Sequence, residues 1–225
     1  MKNKSNLVAI SIVAIVAVAG ISIFAISRNG DKMDDMMKTT NRTGTTKSES
    51  PIGPDMNSSE YKQYSKLVGE DYDKMFLASM IAHHEGAIEM AKLAVNDASH
   101  QELKDLANAI ITAQNTEIIS MGSWQKAWGY PASNGTMMMD HSAMGMMDDM
   151  SGMMQSLVGK KGSDFDKAFL EQMIIHHQSA LNMAATGSSN AKHQELKDLT
   201  VAIITAQTKE IKQMKQWQKS WAYTD

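Results

Sequence analysis

One unusual pattern is written twice in this chain, 93 residues apart and without a gap. Asp73, Met80, His83, His84, Ala87 and Met90 return as Asp166, Met173, His176, His177, Ala180 and Met183. His100-Gln101-Glu102-Leu103-Lys104-Asp105-Leu106 returns as His193-Gln194-Glu195-Leu196-Lys197-Asp198-Leu199. Glu117, Met121, Trp124 and Trp128 return as Glu210, Met214, Trp217 and Trp221. Six of the seven histidines occupy repeated positions, so metal-ligating side chains are part of what is duplicated. Such a chain must fold as two copies of one unit, and any site in one copy has a counterpart in the other.

The period within each copy is helical. Phe76, Met80, His83, Ala87, Met90 and Ala94 step by three or four residues, which keeps them on one helix face. A long helix is expected from about Asp71 to Val95 and a second from Ser99 to Trp128. Ser99 and Glu102 fit a capping box at its start, and Gly129 and Pro131 follow its end. The inner stripe of the second helix runs through Leu103, Leu106, Ile110, Ala113 or Gln114, Glu117, Met121, Trp124 and Trp128. A short lead-in helix is expected over Ser59–Val68, with a similar piece at Gln155–Gly159. Only three prolines occur in the chain, so long uninterrupted helices are allowed. The expected fold is all-α: a four-helix bundle of two repeated hairpins related by a pseudo-twofold axis. Pairing of hairpins between two chains is the alternative assembly. The repeats cover residues 59–130 and 155–225, with a linker at 131–154 and a polar tether at 28–58.

Residues 1–27 read as a membrane segment. Lys2 and Lys4 precede an apolar run from Leu7 to Ile26, and about 20 apolar residues suffice to cross a bilayer. The basic residues favour a cytoplasmic N-terminus with the remainder exported. A cleaved signal peptide is the rival reading, with Ala17-Val18-Ala19 as its small-residue site. Both readings place the repeats outside the cytoplasm: anchored at the periplasmic or cell-surface side, or secreted after cleavage.

There is no cysteine, so neither a disulfide framework nor a thiolate metal site is available. A formal net charge of −3 and the lack of a basic, aromatic-rich patch argue against a nucleic-acid partner. Methionine is the outlier at 21 residues. Nine of the eighteen residues from Met137 to Met154 are methionine. Met137, Met138, Met139, His141, Met144, Met146 and Met147 stand there among Asp140, Asp148 and Asp149. Gly135, Gly145 and Gly152 argue against a helix across the whole stretch. Thioethers packed so densely in a polar linker have little packing purpose. They are soft donors that favour Cu(I), and imidazole suits Cu(I) and Cu(II) alike.

Inside the repeats the same donors recur on inner stripes. A turn near residue 97 sets Met80 opposite Gln114 and His83 opposite Ile111, with Glu117 one turn away. A carboxylate on a core stripe is costly unless it has a partner. Glu117 and Glu210 therefore pair with a buried histidine or join it at a metal ion. Adjacent helix residues point about 100° apart, so His83 and His84 cannot share one inward direction, and the choice between them stays open. The tryptophans read as packing at the bundle ends, and His100 and His193 as surface residues in a first helical turn.

Met80-Ile81-Ala82-His83-His84-Glu85-Gly86-Ala87-Ile88-Glu89-Met90-Ala91 resembles the signature of the domain of unknown function 305 family. Met173-Ile174-Ile175-His176-His177-Gln178-Ser179-Ala180-Leu181-Asn182-Met183-Ala184 resembles it too. The later His-x-Glu-Leu, Gln-x-x-Glu-Ile and Met-x-x-Trp elements match in both copies. The resemblance implies a ferritin-like helical bundle, usually exported, and some members resemble periplasmic copper-binding proteins that protect against copper. It carries metal-binding positions onto Met80, His83, His84, Met90 and Met121, and onto Met173, His176, His177, Met183 and Met214.

The leading functional expectation is an extracytoplasmic protein that sequesters or buffers copper, chiefly Cu(I), with Cu(II) as a second state and Ag(I) as a mimic. No catalytic step is needed. A metal-free structural or interaction bundle is the alternative. A ferritin-like metal oxidase is weaker still, because such sites use Glu-x-x-His on two helices and no such motif occurs here. A metal-transfer partner and a homodimer both stay open.

Overall fold

A computed structural model describes residues 52–131 and 141–223. The described residues are helical apart from turns and two isolated bridges. The helices are α1 (Ser59–Tyr64), α2 (Glu70–Asp97), α3 (Gln101–Ala127), α4 (His141–Leu157), α5 (Gly162–Ala184), α6 (Gly187–Asn190) and α7 (Gln194–Ser220). The expected membrane segment at residues 7–26 lies outside the described residues. Among those described, no helix is long and apolar enough to cross a membrane.

The periodic stripe of α2 is the stripe the fold buries. Phe76, Met80, Ala87, Met90 and Ala94 are fully inaccessible, and His83 is 1% exposed. On α3, Leu103, Leu106, Ile110, Gln114, Glu117 and Met121 are likewise buried. Hairpin α2–α3 and hairpin α5–α7 each close on themselves, and they meet chiefly along α2 and α5. Both hairpins of the one chain pack against each other.

Each hairpin's turn is held by the other hairpin. Gly69, just before α2, bridges to Ala191, and Gly162, at the start of α5, bridges to Ala98. Side chains reinforce both clasps. Asp166, fully buried, accepts from the Ser99 backbone N–H at 2.9 Å, from the Ser99 hydroxyl and from the His100 N–H at 3.2 Å. Its Oδ2 also lies 2.6 Å from His100 Nδ1. Asp73 repeats this with the Lys192 N–H at 2.9 Å and His193 Nδ1 at 2.6 Å.

The clasps correct two expectations. The N-cap of α3 is His100 and makes no side-chain cap bond, so Ser99 and Glu102 form no capping box. Ser99 is instead drawn to the buried carboxylate of α5, because a buried anion left short of donors is costly. His100 and His193 are half-buried, their side chains 33% and 24% exposed, rather than free on the surface. Each stacks on a tryptophan of the other repeat, His100 on Trp221 at 3.7 Å and His193 on Trp128 at 3.7 Å. The tryptophans pack at the bundle ends as expected, Trp124 on Trp128 and Trp217 on Trp221.

The lead-in helices cross over as well: α1 packs on α5, and α4 on α2 and α5. Despite Gly145 and Gly152, α4 is continuous from His141 to Leu157. Methionine is a good helix former, and docking on α2 supplies what the glycines cost. Gly86 receives the tip of Met150: a Cβ there would stand 1.4 Å from the Met150 methyl.

Candidate metal centre

The α2–α3 turn spans Ala98–His100, and the facing register lies about two helical turns beyond that set by a turn at residue 97. His84 meets Glu117, with Nε2 2.5 Å from Oε2. In the second copy His177 Nε2 lies 2.7 Å from Glu210 Oε2. The placement of Met80 opposite Gln114 and His83 opposite Ile111 is corrected accordingly. Each glutamate does have a buried histidine partner, and that partner is the second residue of the His pair.

Those bonds orient the rings. A carboxylate accepts, so in the neutral imidazole the proton sits on Nε2 and the lone pair on Nδ1. The Nδ1 atoms of both His84 and His177 are buried and have no hydrogen-bond partner. A carboxylate fixing one ring nitrogen while the other stays free is the arrangement found behind metal-ligating histidines.

Sulfur donors stand on the same two helices. Met80 precedes His84 by one turn on α2, and Met121 follows Glu117 by one turn on α3. The helices of the hairpin are antiparallel, so both methionines lie at one level, one turn from the His84–Glu117 contact. Both are fully buried in one apolar cluster with Met183 of α5. The mirror cluster holds Met173, Met214 and Met90 of α2. Each cluster therefore takes two methionines from its own hairpin and one from the other.

His83 and His176 meet where α2 crosses α5, their ring centroids 3.6 Å apart. His83 Nε2 lies 3.1 Å from the His176 carbonyl oxygen and donates to it. His83 Nδ1 and both ring nitrogens of His176 have no partner. Burial pushes both imidazoles well below their ordinary range, and the neighbouring histidines add to that shift. Both rings are therefore neutral at pH 7, with lone pairs exposed to the interior.

Among the described residues, no group of three or more His, Cys, Asp or Glu side chains is placed to hold a metal ion. Met137, Met138 and Met139 lie outside the described residues. Of His141, Met144, Met146 and Met147 the structure describes only the helical backbone. The buried aspartates Asp73 and Asp166 stand in the repeat but were not assigned a role from sequence. Their signal was their exact recurrence beside an otherwise apolar stripe. Gln114 and its repeat partner Gln207 each have a buried Oε1 that has no partner.

Fold and interior together define an all-α protein of two repeated hairpins whose core is lined with paired histidines and methionines. The model of the domain of unknown function DUF305 matches residues 24–121 and 73–218, and the chain belongs to that family. The structure is similar to that of CopM in the Cu(I)-bound form, with 37% sequence identity and a TM-score of 0.56. That match covers 66% of this chain and 96% of CopM. CopM structures with Cu(II) and with Ag bound match equally well, at 37% identity and a TM-score of 0.55. A DUF305 protein from Streptomyces coelicolor matches at 25% identity and a TM-score of 0.57, over 64% of this chain and 89% of that one. Uncharacterized protein L153 of Acanthamoeba polyphaga mimivirus is 45% identical over 51 residues, 23% of this chain. The matched segment spans about a third of that relative's length, 34%.

Proposed function

We propose that this protein is an extracytoplasmic copper-binding protein that sequesters or buffers Cu(I), with Cu(II) as a secondary guest and Ag(I) as a mimic. The observation that carries the reading is the pair of buried Nδ1 atoms on His84 and His177, each without a partner. Each belongs to a ring fixed by a glutamate and lies within a turn of fully buried thioethers. Leaving such a nitrogen unpaired costs about 1–3 kcal/mol, which a bound soft cation would offset. In the first copy the donors are Met80, His84 and Met121, with Met183 contributed from α5. In the second they are Met173, His177 and Met214, with Met90 from α2. Glu117 and Glu210 act as positioning residues that hold the rings. Thioethers suit Cu(I) better than harder ions, and the similarity to CopM, whose structures include Cu(I), Cu(II) and Ag forms, supports the same metal class.

The Met-rich linker fits capture and delivery of ions by ligand exchange, with no catalytic step. The apolar N-terminal run fits an exported protein, tethered or released. Titrating the full chain with Cu(I) against a chromophoric chelator tests the reading. Tight uptake by the wild type is expected, with lower stoichiometry when residues 137–147 are replaced by a Gly/Ser linker. Failure of the wild type to compete for Cu(I) overturns the copper reading.

A further inference from the structure

A second set of donors lies outside the two sites above, at the crossing of α2 and α5. A cavity of about 570 Å³ opens there, lined by His83 and His176 from the bundle and by Met150 and Met153 from α4. Three observations bear on its chemistry. His176 is 1% exposed, yet neither of its ring nitrogens makes a well-formed hydrogen bond, although the backbone of His83 approaches the ring. A histidine kept only for packing would be expected to satisfy at least one of them. Met150 and Met153 are half-buried and line the cavity. The cavity rim carries the carboxylates of Glu60 and Asp149, against the single ammonium of Lys215.

We propose that this cavity is a third cation site, one per chain, in which Met150 and Met153 of α4 and one ring nitrogen of His176 bind a soft monovalent ion. The donors are neutral, and thioether with imidazole selects Cu(I) or Ag(I) over harder ions. The rim carboxylates add cation attraction at the mouth. His83 packs against His176 with the rings tilted by 36° and holds its ring in place. Because α4 continues directly from the Met-rich linker, this site stands between the linker thioethers and the buried bundle sites. An ion can pass from one set to the next by exchange of sulfur ligands. The proposal rests on the copper reading but is not implied by it, since the two bundle sites need neither α4 nor His176.

The test uses the full chain in detergent, labelled with ¹⁵N at histidine and ¹³C at the methionine methyls, and titrated with Ag(I). In the wild type, the ring nitrogens of His176 and the methyls of Met150 and Met153 should shift together. In the variant Met150→Leu, Met153→Leu, nearly isosteric at half-buried positions, the His176 shift should vanish while those of His84 and His177 persist. The number of ions bound should fall by one. Unchanged melting of the variant is the control for folding. The third site is overturned if His176 does not respond in the wild type, or responds equally in the variant, while His84 and His177 do respond. If no histidine responds in the wild type, the copper reading falls and the third site with it.

Discussion

His84 and His177 each turn one ring nitrogen to a glutamate and leave the other free in the core. That division makes a prediction about the glutamates. Glu117→Ala removes the group that fixes the ring without removing a donor, so Cu(I) affinity at the first site should fall about 10–100-fold. Competition titration of the variant checks this, and an unchanged affinity would show that Glu117 does not position the ring. A second prediction concerns protons. Burial lowers the folded-state values of His83 and His176 below the ordinary 6.5. Above pH 6.5 both folded and unfolded chains hold these rings neutral, and their contribution to stability is complete. As pH falls below that value, the unfolded chain takes up protons the folded chain refuses, so stability declines toward the lower folded value. The metal-free protein should lose denaturant resistance between pH 7.5 and 5.5. A variant with His83→Asn and His176→Asn should show a shallower decline, and equal slopes would contradict the assignment. At this scale the sequence revealed donor types but not partners. His83 and His84 are neighbours, and only the hairpin register decides which one faces the glutamate.

At the scale of elements, the two copies reveal how one architecture absorbs different residues. Gly187 stands where a Cβ would come within 2.2 Å of Thr200. The equivalent positions in the first copy are Ala94 and Ala107, both fully buried. The pair has exchanged volume across the repeat, small for large. Gly187→Ala alone should destabilise by about 1–3 kcal/mol through overpacking, and Thr200→Ala in the same chain should restore most of that. Denaturant unfolding of the two variants decides it, and equal loss in both would mean that Thr200 is not the obstacle. The helix ends differ in a similar way. Gly129 follows α3 with φ 71°, and Ala222 takes the same place after α7 with φ 57°. An L-residue with a side chain pays about 1–2 kcal/mol in the left-handed region. Ala222→Gly should therefore raise stability by about 1 kcal/mol, and a lower melting temperature would contradict that strain.

The helices themselves were legible because the apolar stripe repeats every three to four residues and no proline interrupts it. What resisted reading was longer in range. Ser99 had a local partner in Glu102 and took a distant one in Asp166, because the buried carboxylate needs donors more than the exposed helix start does. The glycines of α4 were read as breakers, but docking of Met150 onto Gly86 depends on α2 and was invisible from the linker alone.

At the scale of the molecule, duplication explains why the hairpins clasp each other. Every clasp joins one copy to the other: Gly69 with Ala191, Gly162 with Ala98, Asp73 with His193, Asp166 with His100. The same exchange builds the sulfur clusters, since Met183 joins Met80 and Met121 while Met90 joins Met173 and Met214. The clasps and the methionine clusters of the proposed sites thus both join one copy to the other. The exact 93-residue offset foretold this symmetry, whereas the exchange of partners across the axis needed coordinates. X-ray absorption at the copper edge of the full chain loaded with two equivalents of Cu(I) tests the central claim most directly. The account predicts a shell of mixed sulfur and nitrogen scatterers that loses sulfur when Met80, Met121, Met173 and Met214 are replaced by leucine. A shell of nitrogen and oxygen alone, or one unchanged by those substitutions, would contradict it.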